Sequence, residues 1–459
     1  MRSGLPKVLH PLLGRPMLAY VAEAARLATG RQPVIVYSPA TAAIRDVLAG
    51  QAEFALQDEP RGTGDALRAG LAAVPLDATV LLVLNADVPL IEGALLAELL
   101  EVRAEDEAAI AMLTVDAVDP RRLGRVVRAE SGVVERIVEV RDATEEELAL
   151  SEINTGLYAI DAAWLRRRIG DLRPSPATGE IYLTELIELA RRDGRIVSAF
   201  EVDDDGTLLG INDRAELADA VHRLQVRVNE RHLLAGVTMD DPSTAWIEPG
   251  VELAADVVLE ANVILRGRTR IGERTVIASG SQIFDSIIGR DCRIWASILE
   301  SAEVEDEVHI GPFAHVRPGS SIGRGARLGN YAEVKNSRLD EGVQQHHFSY
   351  LGDAHLGPRT NVGAGTVTAN YDGRNKLHTE IGERVFLGVD TMLVAPVTLG
   401  DGARTGAGAV VTHDVPAGML AVGVPARIRE PRPPAPAIAP TDPAPAPDDD
   451  AEPAAPEPA

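Results

Sequence analysis

Two periodicities divide the chain. In its first half, short continuous apolar runs alternate with amphipathic stretches. Val34-Ile35-Val36-Tyr37 and Val80-Leu81-Leu82-Val83-Leu84 read as buried parallel strands, because a strand covered on both faces shows no polar alternation. Between them, the stretch from Gly64 to Ala72 carries Ala66, Leu67, Gly70 and Leu71 on one helical face. This alternation predicts an α/β sheet whose ligands bind at the carboxyl ends of its strands. From Asp213 to Leu234 the pattern is that of one long helix. Leu217, Val221, Leu224 and Val228 recur at three- or four-residue spacing with charges between them. We read it as an arm joining two domains.

After about Gly236 the period shortens. An aliphatic residue followed by glycine recurs at Ile271-Gly272, Ile288-Gly289, Ile310-Gly311, Ile322-Gly323, Leu328-Gly329, Leu351-Gly352, Val362-Gly363, Ile381-Gly382, Leu387-Gly388 and Leu399-Gly400. Several of these pairs are six or twelve residues apart, the signature of a β-solenoid. Each unit forms one short strand and turns. Its aliphatic side chain enters a narrow core, and the glycine lets the backbone bend sharply. One coil cannot bury its own core, so coils must stack. An aromatic content of 3 % suits so thin an interior.

Composition changes the picture at the end of the chain. The last 29 residues contain 11 prolines, and Arg432 faces Asp442, Asp448, Asp449, Asp450, Glu452 and Glu457. Such a segment cannot bury enough apolar surface to offset its ordering entropy, and we expect it to be extended and disordered. At 459 residues the chain holds about three domains' worth of sequence. We expect boundaries at 1–213, 214–235, 236–430 and 431–459. The net charge of −24 argues against nucleic acid or an anionic membrane surface as a partner. The single cysteine, Cys292, excludes an internal disulfide and any cysteine-rich metal site. No apolar run is long enough to span a membrane, and Met1 to Pro6 carry no apolar signal core. The expected location is the cytoplasm.

Several stretches together carry a family resemblance. They are Leu5-Pro6-Lys7-Val8-Leu9-His10, Gln57 with Gly62-Thr63-Gly64, Ala86-Asp87-Val88-Pro89-Leu90, Glu152-Ile153-Asn154-Thr155-Gly156 and Gly210-Ile211-Asn212. In the second half they are Gly311-Pro312-Phe313 with Arg317-Pro318-Gly319, Glu333-Val334-Lys335, His347 to Asp353, and Asn361 to Thr366 continuing into Asn370-Tyr371-Asp372-Gly373. The chain resembles the bifunctional N-acetylglucosamine-1-phosphate uridylyltransferase / glucosamine-1-phosphate N-acetyltransferase family. The resemblance implies a Rossmann-like, doubly wound nucleotidyltransferase domain, a helical arm, and a left-handed parallel β-helix that forms a homotrimer. It also implies Mg2+ and acetyl-CoA as cofactors, UTP as uridylyl donor, and glucosamine 1-phosphate and N-acetylglucosamine 1-phosphate as substrates. The product would feed peptidoglycan and lipopolysaccharide synthesis in a bacterial cytoplasm.

For uridylyl transfer the resemblance assigns Asp87 and Asn212 to Mg2+ and Lys7 to the phosphates. Gln57, Gly62 and Thr63 would meet the uracil end, Asn85 and Ala86 the nucleotide beside Asp87, and Gly124, Glu139 and Asn154 the sugar. For acetyl transfer, His347 is the expected general base, since imidazole suits removal of a proton from an amine near neutral pH. Arg317, Lys335 and Lys376 would bind the sugar phosphate, with Tyr350 and Asn361 orienting the sugar. Ala364, Asn370, Tyr371, Val389 and Ala407 would lie along acetyl-CoA. His346 stands beside His347. If both lie on a strand they point to opposite faces, and the spacing to Tyr350-Leu351-Gly352-Asp353 selects His347.

The chain also departs from the family. Family members carry a strand and a Gly-rich phosphate loop ahead of the segment matching Leu5 to His10, so we expect the true start to lie upstream of Met1. If Met1 is the first residue, weak or absent uridylyl transfer is expected. Asn85-Ala86 replaces an aromatic or aliphatic residue and glycine, and Val389 replaces a hydroxyl residue. The segment Val422 to Arg427 lacks a basic residue before its Val-Pro pair, where Arg427 would have to substitute. Three other readings remain open. The first half could be a non-catalytic scaffold or sensor beside a working acetyltransferase. The β-helix could be only structural. Or His315, His346, His347 and His355 could supply zinc ligands, as in a hexapeptide carbonic anhydrase.

Overall fold

A computed structural model describes residues 1–430 except 118, 121, 122, 177, 204 and 205. The proline-rich tail read from 431 onward therefore lies outside the described residues. The chain packs as two units: residues 1–252 with 264–268, and residues 253–263 with the chain from 269 onward.

The first unit is built on a six-stranded mixed sheet. Its order is Val197–Val202, Ile110–Asp116, Glu152–Asp161, Arg125–Arg128 and Val134–Val138, with Val80–Val83 also paired to Glu152–Asp161. The strand Ile110–Asp116 shows why the fold is layered. Ile110 and Met112 pack with Trp164, Leu165, Leu186 and Ile187 on one face. Ala111, Leu113 and Val115 pack with Leu96 and Leu99 on the other. Side chains alternate across a strand, so an unbroken apolar run needs helices on both sides. Here those helices are Ala162–Arg168 and Glu185–Arg192 on one face and Gly93–Glu105 on the other.

Val34–Tyr37 is a parallel strand as expected, paired with Glu53–Leu56. Val80–Val83 differs: it pairs antiparallel with Glu152–Asp161. The apolar run reported cover on two faces, which is independent of strand direction. The helix read between these strands spans Thr63–Leu71. The long helix spans Arg214–Leu234, and Asp213 caps it by accepting from the backbone N–H groups of Ala215 (2.9 Å) and Glu216 (3.0 Å).

The second unit is a parallel β-helix. Its two- to four-residue strands stack into three ladders, one for each side of the coil. On one side Ile271, Ile288, Val304, Ile322, Leu339 and Leu356 sit in register, each buried. All ten aliphatic residues of the aliphatic–Gly pairs are buried. The glycines answer to backbone proximity: a Cβ at Gly272 would lie 2.7 Å from the carbonyl carbon of Gly289 in the next coil. One step in the stack is long. Leu356 pairs forward with Ile381, and the intervening chain makes an excursion in which Tyr371 bridges Lys376. Cys292 is buried among the coils, and burial pushes its thiol up to about 11.

Leu351 is fully buried between Val334 and the coil that follows. Leu351→Ala is expected to destabilise the β-helix by about 2–5 kcal/mol through lost transfer energy and a residual cavity. The shift of the β-helix transition in guanidinium measures this. A shift below about 0.5 kcal/mol would show that the coil closes over the gap without cost.

Candidate functional site

The β-helix brings one set of predicted residues together through coil register. Val316 pairs with Val334, Glu333 with Tyr350, and Lys335 with Gly352. Arg317 follows Val316, so its Nη1 reaches Glu333 Oε1 at 2.8 Å. That hydrogen bond raises the guanidinium pKa.

Lys376 neighbours Lys335. The adjacent ammonium is the largest cause depressing the Lys335 pKa, with desolvation and Arg317 adding to it. Lys376 gets there through the excursion. Leu377 N–H donates to Asn370 O at 2.7 Å, and the Asp372 carboxylate accepts from the N–H groups of Arg374 and Asn375 at 2.7 and 2.6 Å.

Asp353 anchors the base of this cluster. Its Oδ1 accepts from Asn336 Nδ2 at 2.6 Å and its Oδ2 from Asn370 Nδ2. Its N–H donates to Lys335 O at 3.0 Å, and its carbonyl accepts from Thr379 N–H at 3.1 Å. Burial alone would raise its carboxyl pKa; the two amides and both lysines together bring it below the usual range. A Cβ at Gly352 would lie 2.3 Å from Tyr350 Oη and 2.8 Å from Asn370 Nδ2. Glycine there keeps open the space where those two side chains meet.

His347 is placed differently from the expectation. His346 and His347 follow the strand Gln344–Gln345 in a turn, not on a strand, and His347 has φ +68°. Alternation therefore does not separate them. Their rings are 6.3 Å apart, and His346 Nε2 lies 3.0 Å from Gln344 Oε1. His347 occupies the turn before the strand Ser349–Gly352, whereas Lys335 pairs with Gly352 at the far end of that strand.

The remaining predicted residues occupy neighbouring coils. Asn361 pairs with Gln344. The chain at Ala364, Val389 and Ala407 stacks corner upon corner: Asp390 N–H donates to Ala364 O and Gly408 N–H to Val389 O. Tyr371 is exposed.

The histidines weighed as zinc ligands are dispersed. His315 pairs with Glu300 at 2.8 Å, and His355 lies between Asp340 and Glu380. Among the described residues, no group of three or more His, Cys, Asp or Glu is arranged to hold a metal ion.

In the first unit, one cation joins two predicted ligands. Lys7 Nζ lies 2.5 Å from Asp87 Oδ2 and 3.2 Å from Asn212 Oδ1. Asn212 is held by its N–H to Glu216 Oε2 at 2.6 Å, and Ile211 N–H donates to Asp87 O at 3.0 Å. A Cβ at Gly210 would come within 3.1 Å of the Asp87 carboxylate. Asn85 lies over Gly156, where a Cβ would overlap its amide, and Ala86 connects it to Asp87.

Asn154 N–H donates to Gly124 O at 2.9 Å, and Asn154 Oδ1 accepts from Tyr158 Oη at 2.8 Å. Glu139 accepts from Thr184 Oγ1 at 3.2 Å, and burial raises its carboxyl pKa. Gln57 Nε2 donates to Gly62 O and to Asp65 Oδ2, at 3.2 and 2.9 Å. Thr63 Oγ1 accepts from Leu183 N–H at 3.0 Å.

Sequence reasoning did not single out Glu333, Asn336, Asp353, Asp65 or Gly210. Asp353, Glu333 and Gly210 fall inside quoted motifs, and for the two acids their polarity beside a buried aliphatic was the available signal. Asn336 gave none.

The MobA-like NTP transferase domain family matches residues 1–239, and the bacterial transferase hexapeptide family (six repeats) matches residues 301–336 and 378–413. The chain is 42% identical over 428 residues to the bifunctional protein GlmU of Kineococcus radiotolerans, covering 92% of this chain and 87% of the relative. It is 41% identical over 425 residues to GlmU of Pelobacter propionicus, covering 92% of each. It is also 41% identical over 430 residues to GlmU of Mycobacterium tuberculosis, covering 92% and 87%.

The His355 clamp yields a pH prediction. Its Nε2 lies 2.9 Å from Asp340 Oδ2 and its Nδ1 2.7 Å from Glu380 Oε1. Both contacts are satisfied together when both nitrogens carry protons. Burial opposes that charge, but the two carboxylates outweigh it and the pKa rises. A raised histidine pKa stabilises fully below the unfolded value of about 6.5, and the gain is lost as pH climbs through the folded pKa. We expect the melting temperature of the β-helix to fall across that window, and His355→Gln to flatten the fall. An NMR titration of His355 with its midpoint at or below about 6.5 would contradict the clamp.

Proposed function

The chain belongs to the GlmU family of bifunctional transferases, and from that premise we propose how named residues divide its two reactions. It is an acetyltransferase and uridylyltransferase of UDP-N-acetylglucosamine synthesis. Both halves match: the nucleotidyltransferase domain over 1–239 and the hexapeptide repeats of a left-handed β-helix beyond it.

In the β-helix, the observation that carries the reading is the adjacency of Lys335 and Lys376 with Arg317 close by. Like charges repel, so a fold that gathers them gains when an anion enters. The phosphate of glucosamine 1-phosphate is that anion. Tyr350 and Asn361 orient the sugar. His347 takes the proton from the sugar amine as its nitrogen attacks the thioester carbonyl of acetyl-CoA. The new C–N bond forms, the C–S bond breaks, and CoA leaves as the thiol or thiolate. Ala364, Asn370, Tyr371, Val389 and Ala407 line the acetyl-CoA side.

In the first unit, a phosphate oxygen of N-acetylglucosamine 1-phosphate attacks the α-phosphorus of UTP, and pyrophosphate leaves. Such transfer is governed by positioning and charge neutralisation. Asp87 Oδ2 and Asn212 Oδ1 both reach one cation, the Lys7 ammonium, and are hard oxygen donors suited to Mg2+. When bound there, Mg2+ neutralises phosphate charge. Lys7 moves from those oxygens onto the phosphates. Gln57, Gly62 and Thr63 hold the uracil end. Asn85 and Ala86 back the nucleotide, and Gly124, Glu139 and Asn154 hold the sugar.

The active form is a homotrimer. Trp295, Phe313, Tyr331 and Phe348 are exposed in this aromatic-poor chain, and Phe313 stacks on Tyr331 at 5.4 Å. Exposed aromatic side chains of this kind support association. No described helix is long and apolar enough to cross a membrane. The bacterial cytoplasm, where UTP and acetyl-CoA are made, is the proposed location.

His347→Ala is expected to lower acetyl-CoA-dependent CoA release at least about a hundredfold while pyrophosphate release with N-acetylglucosamine 1-phosphate continues. Unchanged kcat would remove His347 from the proton transfer. Lys335→Ala should raise KM for glucosamine 1-phosphate about tenfold or more, with a smaller effect on kcat. Asp87→Asn is expected to reduce uridylyl transfer and raise the Mg2+ concentration giving half-maximal rate, leaving acetyl transfer intact. A wild-type Mg2+ dependence would contradict the assignment.

A further inference from the structure

Gln345 occupies a place that neighbouring coils fill with aliphatic side chains. It pairs with Leu328 on one side and Val362 on the other, both buried. Gln345 is itself 0% exposed. A primary amide in that interior gives up hydration that the aliphatic neighbours never had.

Its hydrogen bonds are only half complete. Nε2 donates to Ser349 Oγ at 3.0 Å, whereas Oε1 is buried with no protein partner. A side chain chosen for stability would be apolar here, since leaving one buried polar atom unpaired costs more than the other gains. The residue therefore needs a reason other than stability.

The one hydrogen bond its side chain makes leads to His347. Ser349 Oγ, which receives the amide proton, donates its own proton to the His347 carbonyl at 3.3 Å. His347 has φ +68°, a left-handed backbone that it shares with non-glycine residues at other coil corners such as Phe313 and Tyr331, and that a side chain with a Cβ adopts at some cost. Gly329 in the preceding coil leaves room for the turn: a Cβ there would lie 3.2 Å from His346 Cα and 3.3 Å from His347 N. On the other side, Gly365 N–H donates to Phe348 O at 2.7 Å. The peptide after His347 is thus held from inside the helix by a two-link chain, amide to hydroxyl to carbonyl.

We propose that Gln345, acting through Ser349, is a positioning residue for acetyl transfer, fixing the backbone at His347 at the expense of β-helix stability. This rests on the reading of His347 as the general base. Gln345 touches no substrate in the proposal; it sets where the imidazole starts from.

The test uses the full-length protein and three variants. Gln345→Met keeps length and volume and removes the donor; Ser349→Ala removes the relay; the third variant combines them. Expected is a Gln345→Met melting temperature equal to or above that of the parent. Its kcat for acetyl transfer should fall about tenfold to a hundredfold, the scale of a misplaced catalytic group. KM for glucosamine 1-phosphate and acetyl-CoA should change little, and uridylyl transfer not at all. The combined variant should lose no more than the worse single one, since both cut the same chain. The proposal is overturned by a parental kcat in Gln345→Met, by losses that multiply in the combined variant, or by a kcat loss that tracks a lowered melting temperature. A parallel His347→Ala measurement separates the two levels. If that variant is inactive while Gln345→Met is normal, the relay fails and the general-base reading stands. If His347→Ala is fully active, the general-base reading fails and this proposal falls with it.

Discussion

A coil of the β-helix can bury its aliphatic side chain only against the coil before and the coil after. Register between coils is therefore under strong selection by packing, and a slip of one residue would turn buried positions outward. The residues proposed for acetyl transfer use that register. Glu333 lies beside Tyr350, and Lys335 beside Gly352, because Val334 and Leu351 must stack inside. Lys376 is the exception. It reaches Lys335 because the stack tolerates one long step between Leu356 and Ile381. Asp353, fastened to Asn336, Asn370, Lys335 and Thr379, ties the coils where that excursion leaves and returns.

A strongly acidic protein acting on phosphorylated substrates needs local exceptions to its overall field. Screening makes this workable, since charges beyond about 10 Å contribute little at ordinary ionic strength. In the β-helix the exception is two lysines and an arginine gathered near one buried carboxylate. In the first unit it is a lysine that spans an aspartate and an asparagine. Both clusters hold cations in arrangements that an incoming phosphate would relieve or redirect. Outside them, several β-helix arginines are engaged in coil-to-coil ion pairs, such as Arg274 with Asp291 and Arg290 with Asp306.

Polar groups inside the β-helix fall into two kinds. Thr275 and Thr360 are fully buried and complete their bonds to carbonyls of the adjacent coil, at 2.8 and 2.9 Å. They knit coils together at small cost. Gln345 and Thr379 are of the other kind, each with a buried side-chain oxygen that has no partner, while the Gln345 amide nitrogen is bonded. Incomplete satisfaction close to a left-handed His347 marks a place where packing and geometry have different requirements.

By itself the sequence determined the two periodicities, and with them the two architectures. Continuous apolar runs demanded a sheet covered on both faces, and the aliphatic–Gly repeat demanded stacked coils. Its motifs also supplied the residues proposed for the chemistry, since Lys7, Asp87, Asn212, Lys335, His347 and Tyr350 stand in short recognisable stretches. Strand direction was beyond it: Val80–Val83 is antiparallel, because burial on two faces says nothing about the sense of a neighbour. So was the backbone at His347, where alternation presupposed a strand and the coil supplied a turn. Only the tertiary structure decided which charges meet. Lys335 and Lys376, Lys7 and Asn212, and Asp353 with Asn336 are joined by coil register and loop closure, and those contacts arise between segments whose spacing in sequence carries no trace of their distance in space.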